Sequence, residues 1–144
     1  MINLAVLHGY SIKIGARREF ESRELQAMYQ FRAVVFRERL AWHVGLLGAM
    51  EVDAYDALDP VYLMMLDSAG TVCACLRMLP TTAPYMLGNT FAGLLQGMEF
   101  PASERIVELS RFAVAASVQR GYGFSGLASL VVRKSHSLFA QRQL

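Results

Sequence analysis

Apolar positions recur along the chain with two different periods, and these periods predict its main elements. From residue 22 to about residue 35 apolar side chains return every three or four residues, which predicts a helix. The apolar runs 61–66 and 71–79 flank the turn sequence Asp67-Ser68-Ala69-Gly70 and predict a β-hairpin. A further apolar run at 106–114 predicts another strand.

Weaker patterns complete the order of elements. Residues 2–7 predict a short strand, 40–50 and 80–87 predict loops, and 91–96 predict one or two helical turns. Residues 126–140 predict a second long helix, and Ser125 can serve as its N-cap. This order of strand, helix, three antiparallel strands and helix predicts an α+β fold of mixed α/β layers. With 144 residues, the whole chain 1–144 is expected to form a single domain.

The composition excludes several classes of protein. Hydrophobic residues make up 54% and charged residues 18%, against a usual charged share of about 25%, which excludes a disordered chain. The uncharged run 78–98 contains Pro80, Pro84 and Asn89, which argues against a membrane span. The N-terminus lacks the basic region and cleavage site of a signal peptide, so we expect a cytoplasmic protein.

Charge is balanced overall but unevenly distributed. The net charge of +2 is too small to predict nucleic-acid binding. Acidic residues form a block that contains no basic residue, at Glu51, Asp53, Asp56, Asp59 and Asp67. The 14 basic residues are arginines except for Lys13 and Lys134. Because arginine binds carboxylates and phosphates in a fixed fork, this predicts an anionic partner or an internal ion-pair network.

Some charged residues interrupt apolar segments that are expected to be buried. They are Arg32, Arg77, Glu108 and Arg111. A buried charge without a partner costs several kcal/mol, so these side chains must be paired. Asp53, Asp56 and Glu108 are the complementary acids that the sequence offers. The pattern alone leaves two interpretations open, a stabilising ion-pair cluster and a functional site.

The two cysteines, Cys73 and Cys75, lie two residues apart in an apolar run. On a regular strand they would lie on one face with parallel side chains, which is a poor geometry for a disulfide. Two ligands also do not make a zinc site, so no metal is predicted. We expect buried core thiols.

Several short motifs follow one another with a characteristic spacing. They are Phe31-Arg32-Ala33-Val34-Val35-Phe36, Leu40-Ala41-Trp42, Glu51-Val52-Asp53-Ala54-Tyr55-Asp56, Arg77-Met78-Leu79-Pro80-Thr81-Thr82, Pro84-Tyr85-Met86-Leu87, Phe91, and Glu108-Leu109-Ser110-Arg111-Phe112-Ala113-Val114. In this order, over roughly residues 25–115, the chain resembles the acyl-homoserine-lactone synthase (autoinducer synthase) family. The resemblance implies an acetyltransferase-like fold, a mostly antiparallel sheet with flanking helices.

The resemblance also implies a quorum-sensing reaction. The amine of S-adenosylmethionine attacks the thioester of an acyl carrier protein, or of acyl-coenzyme A in some members. The methionyl carboxylate then closes the lactone and methylthioadenosine leaves. S-adenosylmethionine is a substrate here, and no cofactor is implied. The family's site residues fall on Arg32, Phe36, Trp42, Asp53, Asp56, Arg77, Glu108 and Arg111.

Each of these residues has an expected role. Glu108 is the candidate general base that takes the amine proton, directly or through a water. Asp53 and Asp56 are expected partners for the ammonium and sulfonium of the substrate, and the arginines would neutralise and orient the acids. Phe36 and Trp42 offer aromatic faces to a cation or an adenine. For these two aromatic residues, plain core packing is the alternative.

A loop after the last strand is a separate signal. Arg120, Gly121, Gly123 and Ser125 nearly fit the R-x-x-G-x-G/A loop of N-acetyltransferases, which directs backbone N–H groups at a phosphate. Here the phosphate would be that of phosphopantetheine. An ordinary turn into a helix is the alternative. A coenzyme-A-dependent N-acetyltransferase would rest on this loop alone and would leave the other motifs unexplained.

Members of the family continue well past residue 140, whereas this chain stops at Leu144. We therefore expect an incomplete domain that lacks the C-terminal strands and one wall of the acyl tunnel. We also expect an unpaired edge on strand 106–114, which would favour self-association. The alternative function is a catalytically inactive remnant that binds only S-adenosylmethionine or a protein partner.

Overall fold

The computed structural model describes residues 2–7, 9–118 and 133 of the chain. The strands are β1 (Asn3–Leu7), β2 (Tyr10–Ala16), β3 (Leu46–Leu47), β4 (Met50–Glu51), β5 (Val61–Leu66), β6 (Val72–Pro80) and β7 (Val107–Val114). The helices are α1 (Ser22–Ala33) and α2 (Met86–Asn89), with 3-10 turns at Arg17–Glu19, Ala54–Leu58 and Ala92–Leu95 and a π-helical turn at Val34–Arg39. Within the described part of the chain, no helix is both long enough and apolar enough to cross a membrane.

The main sheet has five strands in the order β1-β2-β5-β6-β7, and every neighbouring pair is antiparallel. The α+β fold with a mostly antiparallel sheet is therefore confirmed. The predicted hairpin is β5–β6, and its turn is held by the Asp67 carboxylate, which accepts hydrogen bonds from the amides of Ala69 and Thr71, both at 2.9 Å. Among the described strands, β7 forms one edge of the sheet.

Both faces of the sheet carry a cluster of buried side chains. One face carries Ile12, Ile14, Leu63, Met65, Leu76 and Met78. The opposite face packs against α1 and the π-helical turn, through Met28, Val35, Phe36, Tyr62, Met64 and Cys75. Burial of an aliphatic or aromatic side chain contributes about 1.5–3 kcal/mol, so this second cluster fixes α1 against the sheet. The helix predicted from residue 22 is confirmed, and it runs on into the π-helical turn.

Several elements were missed in the sequence, among them the short strands β3 and β4, which lie at the segment 40–50 that was predicted as a loop. Strand β2 alternates apolar side chains at Tyr10, Ile12 and Ile14 with smaller or polar ones, so its signal was present. The segment predicted as a loop at 80–87 contains the start of α2. This helix has only four residues, which is too short for a periodic pattern.

The expectation that Cys73 and Cys75 share one face of the strand is wrong. The pairing between β5 and β6 shifts by one residue, because Met65 lies opposite Ala74 while Leu66 lies opposite Val72. This β-bulge places Cys73 and Cys75 in the core clusters of opposite faces. Both thiols are free and buried, as expected, and burial raises their pKa to about 11 and about 12 respectively.

Candidate active site

Three arginines and three carboxylates form a closed ring of ion pairs, which we call the charge ring. Its contacts are Arg32–Glu51 (2.5 Å), Arg32–Asp56 (2.9 Å), Arg77–Asp56 (3.0 Å), Arg77–Asp53 (2.5 Å), Arg111–Asp53 (2.8 Å) and Arg111–Glu51 (3.0 Å). Each arginine bridges two acids and each acid bridges two arginines. The formal charges of the ring therefore cancel, which removes most of the cost of burying them.

Separate elements bring these side chains together. Arg32 lies on the buried face of α1, and Glu51 belongs to β4. Asp53 caps the 3-10 turn Ala54–Leu58, since its carboxylate accepts hydrogen bonds from the amides of Tyr55 and Asp56. Because the ring joins parts of the chain that are distant in sequence, it ties the acidic block to the helix and the sheet.

A second β-bulge positions Arg111. The register between β6 and β7 shifts between Cys75 and Arg77, and Arg111 has a φ of +53°. A non-glycine residue in this left-handed region is strained by about 1–3 kcal/mol and persists only where its surroundings hold it. Here Glu51 and Asp53 hold the guanidinium, so the bulge directs Arg111 into the ring.

Burial divides the ring into an inner and an outer part. The side chains of Arg32, Glu51, Asp56 and Arg77 are at most 1% exposed, whereas those of Asp53 and Arg111 are 20% and 15% exposed. Burial alone would raise the pKa of Asp56, but the hydrogen bonds and charges of the two neighbouring arginines outweigh it and hold that pKa well below its usual range. Asp56 therefore remains a carboxylate.

The expectation that Glu108 balances a buried arginine is wrong. Its two carboxylate oxygens accept hydrogen bonds from the backbone amides of Met86 (2.9 Å) and Leu87 (2.7 Å). These amides open α2 and have no partner within the helix, which explains why a carboxylate is bound there. Glu51 is the third acid of the ring, and its place at the start of the acidic block was the signal that could have identified it.

Glu108 and Arg111 both line an open cleft of about 900 Å³. The cleft lies between the loop after the π-helical turn, the region of α2 and strand β7, and its lining is Ala41, Trp42, His43, Val44, Gly45, Met86, Leu87, Thr90, Phe91, Glu108, Leu109, Ser110 and Arg111. A carboxylate, a guanidinium and an indole therefore share one mostly apolar cavity. Such a cavity, with a few convergent polar groups, is typical of a small-molecule site.

The aromatic pair supports one wall of the cleft. The rings of Phe36 and Trp42 are stacked, with centroids 5.2 Å apart and planes at 6° to each other. Phe36 is 1% exposed, whereas Trp42 is 53% exposed. The guanidinium of Arg111 lies 5.8 Å from the centre of the Phe36 ring. Phe36 therefore acts as a buried support, and Trp42 presents aromatic surface to the cleft.

The structure separates the expected site residues into groups. Trp42, Glu108 and Arg111 line the cleft, and Asp53 contacts Arg111 next to it. The remaining expected residues, Arg32, Phe36, Asp56 and Arg77, are buried behind that layer. The predicted phosphate loop, Arg120, Gly121, Gly123 and Ser125, and the predicted helix 126–140 lie outside the described residues. Met86 and Leu87 were quoted as part of a motif, but their place at the cleft was not predicted.

Within residues 2–7 and 9–118, no group of three or more histidine, cysteine or acidic side chains is placed to hold a metal ion.

Comparison with known proteins relates this chain to a family. The family model described as autoinducer synthase matches residues 17–134. The chain belongs to the autoinducer synthase family. The matched segment contains the charge ring and the lining of the cleft.

Named relatives agree with this membership. An acyl-homoserine-lactone synthase of Pseudomonas aeruginosa is 46% identical over 116 residues, which is 79% of this chain and 58% of the relative. One from Ralstonia solanacearum is 47% identical over 89 residues, or 60% of this chain and 44% of the relative. The matched segments thus span between 44% and 58% of these two curated relatives.

Solved structures of synthases share the fold. The acyl-homoserine-lactone synthase LasI superposes with a TM-score of 0.83 at 42% identity and covers 92% of this chain and 66% of LasI. The coenzyme-A-dependent synthase BjaI, solved with S-adenosylmethionine and isopentyl-coenzyme A, gives 0.78 at 25% identity and covers 90% of this chain and 61% of BjaI. TofI, solved in a ternary complex with an inhibitor and methylthioadenosine, gives 0.63 at 37% identity, covering 72% of this chain and 56% of TofI.

Proposed function

We propose that this chain carries the S-adenosylmethionine site and the general base of an acyl-homoserine-lactone synthase, an acyltransferase that makes a quorum-sensing signal. The observation that carries the proposal is the shared cleft, in which Glu108, Trp42 and Arg111 line one cavity backed by the charge ring. Membership of the autoinducer synthase family supports the same reaction.

In this proposal the outer part of the ring and the exposed indole bind S-adenosylmethionine. The exposed ring of Trp42 offers its face to the sulfonium or the adenine, an interaction worth about 0.5–2 kcal/mol. Asp53, the partly exposed acid of the ring, is the partner for the substrate ammonium. Arg32, Asp56 and Arg77 are too deeply buried for direct contact and orient Asp53 and Arg111 instead.

Acyl transfer then proceeds at Glu108. The carboxylate takes a proton from the substrate ammonium, and the free amine attacks the thioester carbonyl. A carbon–nitrogen bond forms, the carbon–sulfur bond of the thioester breaks, and the thiol leaves with a proton. The methionyl carboxylate next attacks the carbon beside the sulfonium, so that the lactone closes and methylthioadenosine departs. S-adenosylmethionine is consumed as a substrate, and the proposed reaction uses no resident cofactor.

The acyl donor in this proposal is an acyl-carrier-protein thioester in the cytoplasm. Acyl-coenzyme A is the alternative, because both donors present the acyl group on phosphopantetheine and BjaI is described as coenzyme-A-dependent. The loop of Arg120, Gly121, Gly123 and Ser125 is the proposed contact for the phosphate of that arm. Since the chain spans about half of its curated relatives, a form that binds S-adenosylmethionine without turning it over is the second candidate.

The test compares Glu108→Gln with Glu99→Gln, an exposed carboxylate that does not line the cleft. Lactone and methylthioadenosine are measured by mass spectrometry from S-adenosylmethionine and an acyl-carrier-protein thioester. We expect Glu108→Gln to reduce the rate by about 10²–10⁴-fold, because a general base is lost, and Glu99→Gln to keep it. Near-normal turnover by a folded Glu108→Gln chain would contradict the role of the base. Binding of S-adenosylmethionine by the unsubstituted chain without turnover would favour the second candidate.

A further inference from the structure

A line of buried hydroxyl groups leads from the protein surface to the charge ring. The hydroxyl of Tyr62 donates a hydrogen bond to Oδ1 of Asp56 at 2.5 Å, and it lies 3.1 Å from the hydroxyl of Tyr29. The Nε of Arg17 donates to the Tyr29 hydroxyl at 3.3 Å. Tyr62 is 0% and Tyr29 5% exposed. None of the roles assigned so far involves these three residues.

The direction of the line follows from the chemistry of its members. A carboxylate only accepts hydrogen bonds, so Tyr62 must donate its single hydroxyl proton to Asp56. Burial and the negative charge of Asp56 raise the pKa of Tyr62 above its usual value, so this proton stays on the oxygen. Tyr29 then has to donate to Tyr62, and its own oxygen accepts from Arg17. Every donor points toward the ring.

Asp56 is the residue through which this line reaches the cleft. Its Oδ2 accepts a hydrogen bond from the backbone amide of Asp53 at 2.9 Å, and its Oδ1 binds Arg77, which in turn binds the Asp53 carboxylate. Asp53 is thus held by Asp56 through the backbone and through Arg77. Asp53 finally binds Arg111, which lines the cleft. A shift of Asp56 therefore changes the position of both outer members of the ring.

We propose that Tyr62, supported by Tyr29, is a positioning residue that sets the Asp53–Arg111 pair for the aminoacyl end of S-adenosylmethionine. This inference rests on the proposed function, since it assigns that end of the substrate to the outer part of the ring. Tyr62 does not touch the ligand. Its effect is confined to the part of the ligand that the ring orients, and it leaves the adenosine end at Trp42 unchanged.

The chain's single tryptophan makes this testable by binding alone, because Trp42 lines the cleft and its fluorescence reports occupancy. S-adenosylmethionine and methylthioadenosine are titrated separately into the 144-residue chain. Methylthioadenosine lacks the aminoacyl end and serves as the internal control. We expect Tyr62→Phe to weaken the binding of S-adenosylmethionine by about tenfold, because the Asp56 carboxylate loses a hydrogen bond, and to leave the binding of methylthioadenosine unchanged. The phenyl ring keeps its edge contact with Phe20, so packing is preserved.

Two further variants make the result decisive. Ile14→Val, in the core of the opposite sheet face, lowers the stability of the fold slightly and should change the affinity for neither ligand. Tyr29→Phe should weaken the binding of S-adenosylmethionine only, and by less than Tyr62→Phe does. This variant provides the test if Tyr62→Phe does not fold. Equal weakening of both ligands, or no change in either, would overturn the positioning role. If the unsubstituted chain binds neither ligand, the proposed function fails and this inference fails with it.

Discussion

Asp53 is the partly exposed acid of the charge ring, and it binds Arg111, the ring member that lines the cleft. Its carboxylate binds Arg77 and Arg111 and also caps the 3-10 turn Ala54–Leu58, so its position is fixed from three sides. It is also the most exposed acid of the ring. A carboxylate held in this way can accept a hydrogen bond from a substrate ammonium without moving, which is the preorganisation that a binding site needs.

Changing Asp53 to Asn should therefore weaken the binding of S-adenosylmethionine more than the binding of the acyl donor. Loss of a charge-assisted hydrogen bond costs about 1.5–3 kcal/mol, which corresponds to roughly a ten- to hundredfold rise in the KM of the affected substrate. The measurement is the KM of each substrate in the lactone assay. Asp67→Asn, in the β5–β6 turn, is the matched control and should change neither. An equal rise in both KM values would assign Asp53 a structural role only.

The sequence predicted that the buried charges must be paired but not which acid pairs with which base. The pairing requirement follows from single residues, because Arg32 and Arg77 each interrupt an apolar segment. The partners depend on tertiary register. Glu51 reaches Arg32 because the β3–β4 hairpin packs on α1, whereas Glu108 binds backbone amides of a helix that the sequence did not reveal.

At the level of elements, strand bounds were easier to predict than strand faces. The strand expected at 106–114 is β7, Val107–Val114, and the hairpin strands match to within a residue. Each of the two bulges adds one residue and so exchanges the faces beyond it. One bulge separates Cys73 from Cys75, and the other directs Arg111 to the ring. A pattern with period two contains no signal for that insertion.

The β5–β6 hairpin makes a prediction about its turn. Gly70 has a φ of +80°, and a Cβ added there would meet no atom within 4 Å, so only backbone strain opposes a larger residue. Gly70→Ala should lower the free energy of unfolding by about 1–2 kcal/mol, measured by urea denaturation. Gly93→Ala is the matched control, because that site is equally open and its φ is not positive. The control should be neutral or slightly stabilising, and equal losses in both variants would contradict the explanation.

Across the whole molecule, the charge ring joins α1, β4, the 3-10 turn Ala54–Leu58, β6 and β7. It therefore contributes to the integrity of the fold as well as to the site. The two interpretations that the sequence left open, a stabilising cluster and a functional site, are compatible in this arrangement. Its inner members are shielded from solvent, and its outer members border the cleft.

This arrangement predicts a loss of stability in acid. The folded-state pKa of Asp56 lies below its unfolded value, so the stability it contributes is complete above the unfolded pKa and is lost as the pH falls through the folded pKa. Glu24 adds to the same trend. Burial alone would raise the pKa of Glu24, but the hydrogen bond and charge of Lys13 outweigh burial and lower it. The free energy of unfolding should therefore be nearly constant from pH 7 to about pH 5 and fall below that.

The variant Asp56→Asn distinguishes the contribution of the charge ring to acid stability from the contribution of the other acidic residues. At pH 7 the variant should lose about 3–5 kcal/mol, because Arg32 and Arg77 are left in a buried site with one carboxylate fewer. Below pH 5 its stability should fall less steeply than that of the unsubstituted chain, since the titration of Asp56 is gone while that of Glu24 remains. The measurement is urea denaturation followed by circular dichroism at several pH values, with Glu99→Gln as the exposed control. If Asp56→Asn keeps both the stability at pH 7 and the full acid slope, the ring does not stabilise the fold through Asp56.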